Sequence, residues 1–209
     1  MGFDGPFEGE PADGREKILR AAYVVLSADG YEGLSIGRIA DEADLSKATV
    51  YHHFDDKDEL MLAFLDFVTE RIRHRLTRLE MVDPAERLHT LIDRMTVGRA
   101  PDEAGRAGGN ADASLGAFVE VRAQAVHDEA YRDRIGQVDR TLRDSVAESI
   151  GDGVEQGAFG DVDPERAAET LLTLLLGALL RRSTTDADLE SVREDAYEYV
   201  ERCLRADSA

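Results

Sequence analysis

Wherever this 209-residue chain carries apolar residues in a pattern, they recur with the period of a helix, and no stretch alternates them with the period of a strand. Ile18, Ala22, Val25 and Leu26 stand at i, i+4, i+7 and i+8 on one helix face, and Asp29-Gly30 stops that helix. Ser35 can cap a short helix from Ile36 to about Ala43, lined on one side by Ile36, Ile39, Ala40 and Ala43. Asp44-Leu45-Ser46 breaks the period, and Ser46 can cap a second short helix to about His53. Asp56 with Glu59 fits the Asp form of a capping box. It opens a helix from Lys57 to about Leu79, ~35 Å long.

Downstream, Pro84 starts a helix to about Val97, and the glycine-rich residues 98–111 read as a flexible connection. The pattern resumes from about Asp112 to His127. It resumes again from about Glu129 to Val154, with Ile135, Val138, Leu142, Val146 and Ile150 on one face. Asp163 as N-cap and Pro164 in the first turn begin a helix to about Arg182 that is apolar nearly all round. Such a helix must be covered on more than one side. A last helix, Asp188 to Leu204, puts Leu189, Val192, Ala196, Val200, Cys203 and Leu204 on one stripe. The fold class expected is all-α, with about nine helices.

Composition narrows the setting. Cys203 is the one cysteine, which excludes an internal disulfide and a C-x-x-C zinc site. Residues 1–12 are acidic, polar and without period, so they read as a disordered leader and not as a signal peptide. The longest apolar run, Leu171–Leu180, is far short of the ~20 residues of a membrane span, so the expectation is a soluble, cytoplasmic protein. The formal charge is −19; Lys17, Lys47 and Lys57 are the only lysines, and aspartate exceeds glutamate. Asp-rich, Lys-poor composition resembles that of salt-accumulating halophiles, in which dense short carboxylates hold water and cations and molar salt screens their repulsion. The alternative is an ordinary acidic protein.

Three helices within the first ~54 residues, two of them short and joined by a tight break, have the arithmetic of a helix-turn-helix. Residues 35–57, SIGRIADEADLSKATVYHHFDDK, resemble the TetR family of transcriptional regulators. The matching positions are Ser35, Ile39-Ala40, Ala43, Leu45-Ser46, Thr49, Tyr51, His53-Phe54 and Lys57, and the likeness runs from about Arg15 to Phe67. One position departs: Asp44 stands in the turn where the family has glycine, and aspartate tolerates left-handed φ better than most residues.

The resemblance implies roles position by position. Ser35, Ser46 and Thr49 correspond to hydroxyl contacts with phosphate, although Ser35 and Ser46 can also act as caps alone. Tyr51 and His52 correspond to recognition-helix residues that reach backbone and bases. Lys47 takes the exposed N-terminal position, and Lys57 corresponds to a lysine that pairs a phosphate. Arg38 joins them by position, while Phe54 and His53 are expected to pack. The His52-His53 pair has no third ligand and its side chains diverge by ~100°, so no metal is expected. The acidic head is unusual for a nucleic-acid binder: residues 1–60 hold fourteen acids against six Lys or Arg.

More loosely, residues 60–205 resemble the family's BetI-type C-terminal domain, through Ala117–Arg122, Gly151–Gly160 and Asp163-Pro164 leading into Leu171–Leu180. The division expected is a leader (1–12), a DNA-binding head (13–56) and a ligand-binding, dimerising body (57–205). The resemblance implies a homodimer through the last two helices on a palindromic double-stranded DNA operator, and an unknown small-molecule effector. Candidate pocket residues are Met61, Phe64, Met95, Phe118, Arg122, Tyr131 and Leu174, each of which can equally be core. Arg122 can meet an anionic ligand or pair with Glu120 or Asp128. No cofactor, catalytic residue or membrane partner is expected, because no Gly-rich phosphate loop, Cys/His cluster or Ser/His/Asp motif is present. The function expected is a ligand-released repressor; the alternative is a ligand-independent, nucleoid-type DNA-binding protein.

Overall fold

The structure is a computed structural model that describes residues 9–77, 83–97 and 109–204. Most of the leader (1–8), the expected end of the fourth helix near Leu79, most of the glycine-rich connection (98–108) and the Cys203 and Leu204 side chains lie outside the described residues. Among the described residues there are nine α-helices and no strand. They are α1 (Gly14–Gly33), α2 (Ile36–Glu42), α3 (Lys47–His53), α4 (Lys57–Thr77), α5 (Pro84–Thr96), α6 (Gly109–Gln124), α7 (Glu129–Glu155), α8 (Pro164–Thr184) and α9 (Glu190–Glu198). A π-helical segment, Tyr199–Leu204, follows α9.

Short polar side chains set the helix starts. The N–H groups of the first turn lack intrahelical partners, and Asp13, Ser35, Ser46, Asp83 and Asp163 accept them at α1, α2, α3, α5 and α8. Pro84 and Pro164 stand in first turns, where no N–H is needed. At α4 the Glu59 N–H donates to Asp56 Oδ1 (2.8 Å), while Glu59 Oε2 accepts from the Asp55 N–H (2.5 Å).

Three boundaries differ from the sequence expectation. The helical dihedrals of α1 break at Gly30 (φ 68°, ψ −177°), but one further turn carries the helix to Gly33. Helix α6 begins at Gly109, ahead of Asp112, so the last glycine-rich residues are already helical. The final helix is α-helical only to Glu198 and then widens into the π-helical segment.

The helices form two compact units. The first holds residues up to 72 together with 112–138. Its core takes Ile18, Leu19, Ala22 and Leu26 from α1, Ile39 from α2, Val50 from α3, and Phe54 just after it. Leu60, Met61 and Leu65 of α4, Val121 of α6 and Tyr131 and Ile135 of α7 complete it. Truncating one of these aliphatic chains to alanine costs about 2–5 kcal/mol. At its edge, Glu16 accepts from Arg20 and Arg71, which ties α1 to α4. Burial works to raise the Glu16 pKa, but the Ala12 N–H and the two arginines outweigh it and hold the carboxyl below its ordinary value. Arg20 also donates to the Gly9 carbonyl (2.5 Å), fastening the start of the described chain to α1.

The second unit holds residues 73–111 and 139–209. Helix α5 packs on α8 and α9. Leu88 and Ile92, Val146 and Ile150, Leu171 and Leu175, and Ala196 and Val200 are all buried. The buried Asp93 carboxylate accepts from Arg193 Nε (2.5 Å) and the Tyr197 hydroxyl (2.6 Å), which joins α5 to α9. Past α7, Gly157 takes a positive φ (70°), and the Phe159 ring folds so closely over Gly153 that no side chain fits there. Helix α8 buries Ala167, Ala168, Leu171, Leu172, Leu175, Ala178 and Leu179 but leaves Thr173, Leu174, Gly177 and Leu180 outside. No helix among the described residues is long and apolar enough to cross a membrane.

Candidate nucleic-acid interface

The helix-turn-helix is built on its turn. Asp44 adopts φ 49°, the left-handed conformation expected where the motif has glycine. The Leu45 N–H returns to the Ala40 carbonyl (2.9 Å) and the Asp44 N–H to that of Asp41 (3.2 Å). Val50 and Phe54 are buried and anchor α3 to the core, so the opposite face turns outward with Lys47, Ala48, Tyr51 and His52 exposed. Tyr51 is 54% exposed, a large aromatic ring left in solvent where burial would be worth kilocalories. His53 is half-buried with its ring against those of His52 and Phe54, and Phe54 is in the core, the packing place expected for both.

Hydroxyls gather at the helix starts. Ser46 Oγ accepts the Thr49 N–H (3.1 Å) and shares a hydrogen bond with Thr49 Oγ1 (2.8 Å). Ser35 Oγ accepts the Arg38 N–H (3.3 Å). The Lys47 stem lies along Gly37: a methyl group there would sit 3.0 Å from Cε and 3.1 Å from Nζ. This close approach ties the start of α3 to α2, and sequence reading misses Gly37 because nothing local marks it.

The two other candidate cations are already engaged. Arg38 pairs with Asp29 (2.8 Å) on an exposed edge. Lys57 Nζ donates to the Tyr31 carbonyl (2.8 Å) and lies 3.9 Å from the centre of the Tyr31 ring. Burial pushes the Lys57 ammonium below its ordinary pKa, against the pull of Asp58 and Glu32. Nothing in the sequence singles out Tyr31, since its contact with Lys57 spans 26 positions.

The candidate pocket residues fall in both units. In the first, Met61, Phe64 and Tyr131 are buried in one core with Phe118 packed against it, and Arg122 is half-buried on α6. Met95 is buried in the second unit, and Leu174 is exposed on the outer face of α8.

An exposed recognition-type helix, hydroxyl-capped at its start and held by a left-handed turn against a second short helix, defines a helix-turn-helix DNA-binding regulator. Comparison with known proteins agrees. The model of the bacterial regulatory proteins of the tetR family matches residues 18–64, and that of the BetI-type transcriptional repressor C-terminal domain matches residues 84–205. The HTH-type transcriptional repressor AcnR of Corynebacterium efficiens is 35% identical over 196 residues, 94% of this chain and 95% of that protein. The nucleoid occlusion factor SlmA of Vibrio vulnificus is 24% identical over 82% of this chain and 85% of its own. A solved TetR transcription regulator from Haloarcula marismortui superposes with a TM-score of 0.73 at 36% identity, covering 91% of this chain and 98% of that one. The chain belongs to the TetR family of transcriptional regulators, with a C-terminal domain of the BetI type.

Proposed function

We propose that the chain is a homodimeric repressor that binds a palindromic operator through α2 and α3 and is released by a small-molecule effector. The observation that carries the reading is the outer face of α3, where Lys47, Tyr51 and His52 stand exposed while Val50 and Phe54 lock the helix below. Tyr51 and His52 meet bases and backbone in the major groove. Ser35, Ser46, Thr49, Lys47 and Lys57 hold phosphates, and Arg38 joins them once it leaves Asp29. Phosphate contacts set the register while the α3 face reads sequence.

Residues 13–56 act as the head and 57–205 as the body. The outer face of α8, with Leu174, Gly177 and Leu180 exposed, serves with α9 as the dimer surface. That use fits Leu174 better than a place in a pocket. A twofold dimer would present two heads to half-sites ~34–36 Å apart. The effector site is proposed around Met61, Phe64, Phe118 and Tyr131 in the first unit, with Arg122 following on α6; methionine and aromatic groups adapt to apolar ligands. Met95 is buried in the second unit and is kept as core. The family is regulatory, and we assign no catalytic activity. The acidic, lysine-poor surface suits a protein working in the cytoplasm of a salt-accumulating cell.

Two variants test the reading. Tyr51→Ala and Lys47→Ala should each weaken operator binding about 10- to 100-fold while leaving sedimentation and helicity as in the wild type. Full binding by both would remove α3 from the interface. The likeness to a nucleoid occlusion factor favours a second reading, a nucleoid-type protein; on that reading the chain binds DNA without an effector. Binding to many unrelated sequences with similar strength would support that one instead.

A further inference from the structure

The contacts that hold Lys57 do not end in the helix-turn-helix. Tyr31, just after the break at Gly30, offers Lys57 both its carbonyl and its ring face. Its own N–H, freed from the helix by the break, donates to Glu120 Oε2 of α6 at 2.5 Å. The Glu120 carboxylate sits so close that a Cβ at residue 30 would lie 2.8 Å from Oε2, in a backbone conformation that already favours glycine. At the other end, the Tyr31 hydroxyl lies 3.0 Å from that of Tyr131 on α7, and Tyr131 donates to Asp58 Oδ1 at 3.0 Å. The two rings meet edge to face. Burial and the neighbouring Asp58 carboxylate keep both phenols protonated far above neutral pH. All of these residues belong to the first unit.

We infer that Glu120 and Tyr131 are positioning residues for operator binding: they clamp Tyr31 at its backbone and its hydroxyl, and Tyr31 in turn aims the Lys57 ammonium at the DNA backbone. The inference rests on the proposed contact between Lys57 and a phosphate. A lysine side chain free in solution loses rotamer entropy when it is fixed on a phosphate. Here that loss is already met in the free protein. An ammonium carries three N–H donors; the Tyr31 carbonyl takes one and the ring face a second, so one remains for phosphate. Body helices α6 and α7 thereby reach the DNA-binding surface through two side chains.

The test uses the full-length protein and a duplex enriched by it from a random pool, with affinity measured by fluorescence anisotropy across a KCl series. Lys57→Met should weaken binding and reduce the slope of log K against log [KCl] by about 0.9, the share of one phosphate. Tyr131→Phe, Glu120→Gln and Tyr31→Phe keep shape and should each raise Kd several-fold and lower that slope. Combined with Lys57→Met, they should add nothing further. Thermal unfolding of every variant at the same salt identifies any that lose affinity by losing the fold, and the remaining variants decide the matter. If Lys57→Met binds as the wild type does, the phosphate contact of Lys57 is wrong and the inference falls with it. If Lys57→Met weakens binding but the other three keep wild-type affinity and slope, or add their full effect on top of it, Lys57 meets DNA without help from α6 and α7.

Discussion

Asp44 carries more of the interface than its exposed position suggests. It holds φ at 49°, and the direction in which α3 leaves α2 depends on that angle. Left-handed φ costs an L-residue about 1–2 kcal/mol, less for aspartate, and nothing for glycine. Asp44→Ala should therefore lower stability by about 1 kcal/mol, whereas Asp44→Gly should stay within about 0.5 kcal/mol of the wild type, both by denaturant unfolding in molar KCl. Equal losses in the two variants would mean that the aspartate side chain, not the backbone angle, matters here. At this scale the sequence is informative wherever the physics is local. The caps at Ser35, Ser46 and Asp163 and the turn at Asp44 are all legible, because each acts over two to four residues. The partners of Lys57 are not, since Tyr31 lies 26 positions away and Glu120 a further 89 from Tyr31.

Among the elements, α8 shows what periodicity can and cannot resolve. Its nearly continuous apolar run indicates a helix covered on more than one side, and one side is indeed filled by its own unit. The other side carries Leu174 and Leu180, 36% and 51% exposed. A run apolar on every face does not say which face meets the chain's own core, so the placing of Leu174 needs the structure. On the proposed dimer surface, replacing Leu180 with Glu should shift the protein from dimer to monomer in sedimentation equilibrium, with each chain still helical, because two carboxylates would be buried across the twofold. A dimer that persists in Leu180→Glu and in Leu174→Glu would move the interface off this face. The ends of elements are less legible than their cores. The extra turn of α1 past Gly30 is stitched by a carboxylate from α6, and no local pattern announces such a contact.

For the whole molecule, charge outweighs every other feature of the composition. A net charge of −19 on 209 residues favours expansion unless counterions screen it. At ~1 M salt the screening length is ~3 Å, and at ~0.1 M it is ~10 Å, so carboxylates that ignore each other in the first case repel in the second. Lowering KCl from molar to ~0.1 M should reduce the thermal midpoint and helical circular dichroism, while refilling with KCl should restore them. Identical melting at both salts would make this an ordinary acidic protein. Composition makes the net charge legible. Packing at this scale is not: the first unit gathers α1–α3 with most of α4 and α6 and the first part of α7, a grouping that no pattern along the chain reveals.

Charge also sharpens the central claim, for an acidic head must hold DNA largely through hydrogen bonds and fit, not through counterion release. The most direct test is the binding of the purified protein in molar KCl to the DNA upstream of its own gene, beside a scrambled duplex, with stoichiometry read by sedimentation. The account predicts a complex with the upstream fragment alone, two chains to a site, that Tyr51→Ala weakens about 10- to 100-fold. Equal binding to both duplexes, or a sequence-specific complex unchanged by Tyr51→Ala, would contradict it.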